Sequence, residues 1–277
     1  MSKDKASRDL ARWQLRAPAP RFSLDALDPG AKPCSTGDKA KDKLLVDDLA
    51  RQIDELQDLL FADRRYKLLV VLQGTDGSGK DGTIRHVFGR VSPLGSHAYG
   101  WRAPTEEEKA HDFLWRIHKA VPAAGEVAIF NRSHYEDVLV PMAESGMKEA
   151  EAKQRCRQIV DFERMLAETG TVILKFMLLV SKEEQQSRLQ ARIDDATKAW
   201  KYDPHDLDVR SRWTAYRKAY EFVLSHTGAA WAPWTVVPAN SKTHRNVMIG
   251  TVVRDALASL KLRYPAAREG VAGTRVE

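Results

Sequence analysis

The 277-residue chain carries 44 basic against 38 acidic side chains, a formal charge of +6 that favours anionic partners. It is long enough for one large α/β domain or two small ones, and at 43% hydrophobic and 30% charged its composition excludes disorder throughout. Cys34 and Cys156 are its only cysteines, too few for a disulfide framework or a zinc site, which fits a reducing cytoplasm.

The N-terminus lacks the apolar core of a secretory signal, and no apolar run approaches the ~20 residues of a membrane span, so no membrane partner is expected. Residues 1–43 are polar and broken by Pro18, Pro20, Pro29 and Pro33, with a lysine- and aspartate-rich segment from Lys39 to Lys43. They predict an extended arm, pinned to the surface by Phe22, Leu24 and Leu27, with Trp13 packing in a partner subunit. From Leu44 to Phe61, Leu45, Leu49, Ile53, Leu56, Leu59 and Leu60 recur at helical spacing and predict an amphipathic helix. This helix opens a domain expected over 44–264, with a disordered tail over 265–277.

The stretch YKLLVVLQGTDGSGKDGTI, Tyr66 to Ile84, reads as a buried strand, a phosphate-binding loop and the start of a helix. Leu68 to Leu72 suits a strand covered on both faces. Gly74 to Lys80 then has the spacing G-x-x-x-x-G-K. Gly74, Gly77 and Gly79 let successive N–H groups turn towards a polyphosphate, Lys80 adds a point charge, and the helix N-terminus faces the same anion. Ser78, Gly82 and Thr83 complete the stretch, while Asp81 stands where Ser or Thr normally meets magnesium. An acidic residue inside such a loop makes sense if a cation joins it to the phosphates, so Asp76 is the first candidate magnesium ligand. The plain alternative is a glycine-rich βα turn with a chance lysine.

HAYG predicts a short strand, and Pro104, Thr105 and three glutamates open one helix whose buried side is Phe113, Leu114, Ile117 and Val121. His111, Trp115, Arg116 and His118 read as packing and surface residues. Glu126 to Asn131 is a second core strand, followed by Arg132, Ser133, His134, Tyr135, Glu136 and Asp137. Ligands of open α/β sheets sit beyond the carboxyl ends of strands, so an arginine with two carboxylates there is placed to hold phosphate and magnesium. Acidic residues at a helix N-terminus would account for Glu136 and Asp137 but not for Arg132.

A helix is predicted over Glu149–Thr169 and a third core strand over Thr171–Val180, completing a βαβαβ order that argues for a doubly wound parallel sheet. Ser181 to Tyr220 is charged and rich in tryptophan. Arg188 and Arg192 share a helix face, and Lys198 and Lys201 follow a turn at Asp194 and Asp195. This segment reads either as a mobile lid, over about 182–220, or as a solvated helix face. Trp231 to Pro238 supplies a fourth strand, with Lys242, His244 and Arg245 just beyond it, and a last helix is predicted over Arg245–Leu262.

QGTDGSGKDGTIRHVF, IFNRSHYEDVLV, RIDDATKAWKYDPHDLDVRSRW and the later APW with Lys242 and Arg245 together resemble the family-2 polyphosphate kinases, in order from Leu44 to Leu262. The resemblance implies a P-loop kinase fold, a doubly wound parallel sheet flanked by helices with a helical lid. It also implies magnesium-dependent, reversible phosphoryl transfer between inorganic polyphosphate and a nucleotide, with manganese as a substitute metal. Asp76 would then bind metal and nucleotide phosphates, and Lys80 and Arg132 would stabilise the transferred group. Arg188, Arg192, Lys198 and Lys201, with Lys242 and Arg245, would grip polyphosphate. Asn131 departs from the aspartate of members that act mostly on nucleoside diphosphates, and Glu136 would supply the missing metal carboxylate. With HDFLWR at His111 to Arg116, this is more similar to the subgroup that accepts both AMP and ADP.

Adenine nucleotides are the expected partners, with guanine nucleotides as further candidates. The arm and several tryptophans expected to be exposed point to a homo-oligomer. An ATP-dependent kinase of a small metabolite or nucleoside monophosphate would share fold and loop. A nucleotide-gated switch is opposed by the lack of an N-K-x-D motif, and a nucleic-acid ATPase by the lack of an Asp-Glu pair after the second strand, so nucleic acid is not expected.

Overall fold

The computed structural model describes residues 10–20, 22–203, 205–267 and 275, with the side chains of Lys201 and His205 not described. The first nine residues of the expected arm and most of the expected tail lie outside the described residues.

Leu68 to Leu72 is at most 1% exposed and forms the middle of β2 (Lys67–Gln73), the central strand of a six-stranded sheet. Its parallel neighbours are β4 (Val127–Asn131) and β5 (Thr171–Leu179), with Val70 opposite Ile129 on one side and Leu174 on the other. Outside them run β3 (Ser96–Gly100) beside β4 and β6 (Trp234–Pro238) beside β5, both parallel. The chain leaves β2 with β4 on one flank and β5 on the other, so the loop after β2 opens into the crevice where the winding reverses. The expected doubly wound α/β sheet is present.

One face is covered by α1 (Lys39–Asp63), α2 (Lys80–Val87) and α10 (Lys242–Ser259). The other carries α5 (Glu136–Glu144), α6 (Glu149–Glu168) and α9 (Trp213–Thr227). Four further helices are single-turn or charged: α3 (Glu106–Lys109), α4 (Trp115–His118), and α7 (Lys182–Asp194) with α8 (His205–Ser211) after it.

Several boundaries differ from the sequence reading. Helix α1 starts at Lys39, because the Asp38 carboxylate accepts from the Ala40 and Lys41 N–H groups and so caps it. The lysines assigned to the arm are therefore its first turn. The single helix expected after HAYG is two short ones: Thr105 and Glu108 form a capping box for α3, and Asp112 then accepts from Leu114 N and turns the chain before α4. Residues 213–220, expected in the lid, begin α9, whose Tyr216, Ala219 and Tyr220 belong to the core. Helix α10 starts at Lys242, capped by the Ser241 hydroxyl.

The arm packs on its own chain. Gln14–Leu15, β1, pairs antiparallel with β6 and covers the sheet edge, and Trp13 is 4% exposed within the core, not in a partner subunit. Among the tryptophans, Trp200 and Trp231 are exposed, and Trp13 and Trp234 are buried.

Candidate active site

The loop after β2 is shaped by backbone angles and close contacts. Gly74 has φ +148° and Gly79 φ +104°, and a Cβ at Gly79 would fall 1.8 Å from Arg245 Nη1. Only glycine fits at Gly79. Lys80, the first residue of α2, is buried and folds its Nζ over the loop, donating to Gly74 O at 2.6 Å and Thr75 O at 3.2 Å.

Four charges gather where β2 and β4 end. Arg132 Nη2 donates to Asp76 Oδ1 at 2.6 Å, and Lys80 and Glu136 sense both. Burial works to raise the Asp76 carboxyl, but Lys80 and Arg132 outweigh it and hold it below the usual carboxylate range. Glu136 goes the other way: burial raises it, and Arg132 and Lys80 offset only part of that. Burial lowers Lys80 more than Asp76 and Glu136 restore it, while Arg132 is raised because the two carboxylates overcome its burial. Arg132 has φ +63°, a left-handed angle for a non-glycine residue that turns its side chain back across the loop.

Around this centre the other expected residues divide. Asn131 Nδ2 donates to Asp81 Oδ1 at 2.7 Å, linking the end of β4 to the first turn of α2. Gly82 lies in the same turn. The Ser78 hydroxyl is buried without a partner inside the loop, whereas Thr83 Oγ1 donates to Gly79 O at 3.2 Å and faces the core. Arg188 donates to Gly77 O and Ser78 O of the loop, to Ala239 O and Asn240 O after β6, and through its Nε to Glu184 Oε1 at 2.8 Å. Arg245 joins it at Ser78 O, and burial, with Arg188 nearby, lowers its guanidinium to about 9. Arg192 pairs with Asp206 at 3.0 Å, and Lys198 pairs with Asp195 on the exposed segment between α7 and α8. Lys201 contributes backbone only to the described residues. Lys242 is exposed at the start of α10; partial burial, Arg188 and Arg245 lower its ammonium.

Sequence reasoning missed several members. Gln185 of α7 donates to Asp76 O at 2.9 Å and accepts from Arg210 of α8 at 2.9 Å, which ties α7 and α8 to the loop. Asp206 and Tyr220 sit close enough to Asp76 and Arg132 to be shifted by them. Lys39 and Lys43 line, with Lys242, Glu184, Asn240, Ser241 and Thr243, a recess of about 380 Å³. The run of lysines from Lys39 was its only signal.

The donor set fits a hard cation. Asp76 and Glu136 are carboxylates coupled to each other, and the Gln73 amide lies against Glu136 with its buried Oε1 unpartnered. Among the described residues no three His, Cys, Asp or Glu side chains gather, so such a cation would rest on these two carboxylates and on phosphate oxygens.

A family model described as Polyphosphate kinase 2 matches residues 36–265. The chain is 45% identical over 250 residues to a protein named AMP/ADP-polyphosphate phosphotransferase from Meiothermus ruber, covering 90% of this chain and 93% of that one. It is 38% identical over 226 residues to a protein named ADP-polyphosphate phosphotransferase from Rhodopseudomonas palustris, covering 77% and 78%. The crystal structure of polyphosphate kinase 2 from Arthrobacter aurescens superposes with a TM-score of 0.89 at 44% identity, covering 93% of this chain and 92% of that one.

Proposed function

Because the chain belongs to the polyphosphate kinase 2 family, we propose that it moves a phosphoryl group reversibly between inorganic polyphosphate and AMP or ADP, forming ADP and ATP. The observation that supports this best is the convergence of Lys80 and Arg132 with Asp76 and Glu136 at the switch point of the sheet.

Phosphoryl transfer proceeds through a loose transition state with charge on the equatorial oxygens, so the protein must align the reactants and offset that charge. Lys80 and Arg132 provide two cations at one point, and the loop N–H groups and the α2 N-terminus add partial charges aimed the same way. A nucleotide phosphate is already a competent nucleophile, so no general base is required, and Asp76 and Glu136 act in cation and water ligation. They would hold magnesium, or manganese in its place, which when bound neutralises phosphate charge. A polyanionic chain needs a track longer than one nucleotide. Arg192, Lys198, Lys242 and the lysines of the adjoining recess offer one, with affinity that falls as salt rises. Adenine nucleotides are the proposed acceptors, guanine nucleotides a further one, and the cytoplasm the proposed location. A helical lid over α7 and α8, an oligomer of the chain, and polyphosphate contacts by Arg188, Arg245 and Lys201 belong to the same proposal.

The test is incubation of the purified protein with long-chain polyphosphate, magnesium and either AMP or ADP, with products resolved by chromatography. ATP from ADP, and ADP then ATP from AMP, is the expected result. No product in either tube, with ATP consumed on another acceptor, would sink the proposal in favour of a metabolite kinase.

A further inference from the structure

Arg132 and Glu136 are separated by three residues, Ser133, His134 and Tyr135, each fully buried. Ser133 Oγ accepts from Gln73 Nε2 at 3.1 Å, and Ser133 O accepts from Glu136 N at 3.0 Å, so this residue already joins β2 to the segment. His134 and Tyr135 reach the other way, through the sheet's second face. Tyr135 Oη donates to Glu163 Oε1 at 2.7 Å and His134 Nε2 lies 3.2 Å from the same oxygen. Glu163, on α6, is 0% exposed and takes its third partner from Lys175 of β5, with Nζ to Oε2 at 2.6 Å. Lys175 gives its remaining protons to Tyr135 Oη at 3.0 Å and Thr227 O at 2.8 Å.

A buried ion pair is a costly way to stabilise a core. Well-packed apolar side chains of similar volume often do as well or better, so this pair calls for a role in fixing geometry. Here every donor of Lys175 is used and the Glu163 carboxylate is filled from three sides. Two of those three contacts end on the residues between the site's arginine and its glutamate. Burial would raise the Glu163 carboxyl, yet Lys175 and His134 hold it below its usual range, so it stays an acceptor.

We infer that Glu163 and Lys175 are positioning residues that act through His134 and Tyr135 to fix Arg132 and Glu136 against the phosphate loop. The inference rests on the proposed phosphoryl transfer for its kinetic readout only. The strained φ of +63° at Arg132 needs such a frame, because a segment free to relax would turn the guanidinium away from Asp76.

The test uses the full chain with two variants. Glu163→Leu combined with Lys175→Leu removes the charges and leaves apolar side chains in their place; Tyr135→Phe removes the two hydrogen bonds of Tyr135 Oη, to Glu163 and from Lys175, and leaves the ion pair intact, which covers the case in which the double variant does not fold. Amide hydrogen exchange is read for the peptide spanning 131–137 and, as an internal control, for β2. The expected result is exchange at least ~10-fold faster in 131–137 with β2 unchanged. With polyphosphate and AMP, kcat falls about 10–100-fold while KM stays within ~3-fold, since a misplacement of about 1 Å suffices for such a loss. In an Arg132→Ala background the same substitutions cost less than ~3-fold, because the group they position is gone. Unchanged exchange in 131–137 in both variants, or loosening spread evenly over 131–137 and β2, overturns the inference. If the wild type makes no ADP or ATP from polyphosphate, the functional reading fails and the exchange result alone decides the positioning role.

Discussion

Replacing Gly79 by alanine separates the shape of the phosphate loop from its charge. The new Cβ would lie 1.8 Å from Arg245 Nη1 and 2.7 Å from its Cζ. Arg245 is 2% exposed and cannot swing into solvent. It is held by Ser78 O at 3.3 Å and by Asn246 Oδ1 at 3.1 and 3.0 Å. The left-handed angle costs alanine about 1–2 kcal/mol, and pushing Arg245 off Ser78 O strands a buried donor and acceptor at about 1–3 kcal/mol. The sum, about 2–5 kcal/mol, is to be seen in urea unfolding as a lower midpoint at unchanged slope. If the loop absorbs part of that strain by moving, kcat/KM for polyphosphate and ADP falls tenfold for each ~1.4 kcal/mol that reaches the transition state. Adding Arg245→Ala removes the clash and leaves the backbone strain, so the double variant loses less than the two single losses combined. Wild-type stability and turnover in Gly79→Ala, or strict additivity in the double variant, would refute the reasoning.

Other expectations follow from the same geometry. In the proposed mechanism the working form of Glu136 is the carboxylate, and its pKa is raised, so activity is lost as pH falls through a value above the ordinary ~4.3 of glutamate. Asp76 is held low and titrates only at more acid pH; Glu136→Gln therefore slows the enzyme and flattens this acid limb of the pH–rate profile, and an unchanged limb would remove Glu136 from the metal site. Lys39, Lys43 and Lys242 substituted together by alanine raise KM for long polyphosphate and reduce its salt dependence while leaving KM for ADP near wild type, as initial rates at two salt concentrations would show. Trp13→Ala costs about 3–5 kcal/mol in urea unfolding and leaves kcat of the folded protein unchanged, since the ring belongs to the hydrophobic core. A loss below ~1 kcal/mol would mean that the arm is not docked.

The parts of this site legible in the sequence are those whose signal is local. An apolar run that breaks into Gly74, Gly77 and Gly79 before Lys80 specifies strand, loop and helix within twenty residues, and the run Glu126 to Asn131 announces a second strand end beside it. The break at Asp112 was also local, yet it competes with a helical apolar spacing that looks continuous from Thr105 to Val121, and one side-chain bond to Leu114 N decides it. Trp13 was misplaced for a different reason: the arm's polarity is real, but a sheet edge more than two hundred residues away needs covering, and nothing near Trp13 says so.

What local pattern cannot convey is which oxygen a cation meets. Arg188, Arg192, Arg245 and Lys198 read alike in the sequence, as positive charge after a core strand. In the structure Arg188 and Arg245 face the carbonyl side of the loop, Arg192 faces Asp206, and Lys198 faces Asp195 near the surface. The first two take the Gly77 and Ser78 carbonyls of the loop. A phosphate must compete with one carboxylate each for Arg192 and Lys198, but with the Glu184 carboxylate and four backbone carbonyls for Arg188. The two arginines four residues apart on α7 therefore differ in what they hold: Arg188 is tied to the loop and to Glu184, and Arg192 to Asp206 alone, so under the proposed function polyphosphate recruits Arg192 more readily than Arg188.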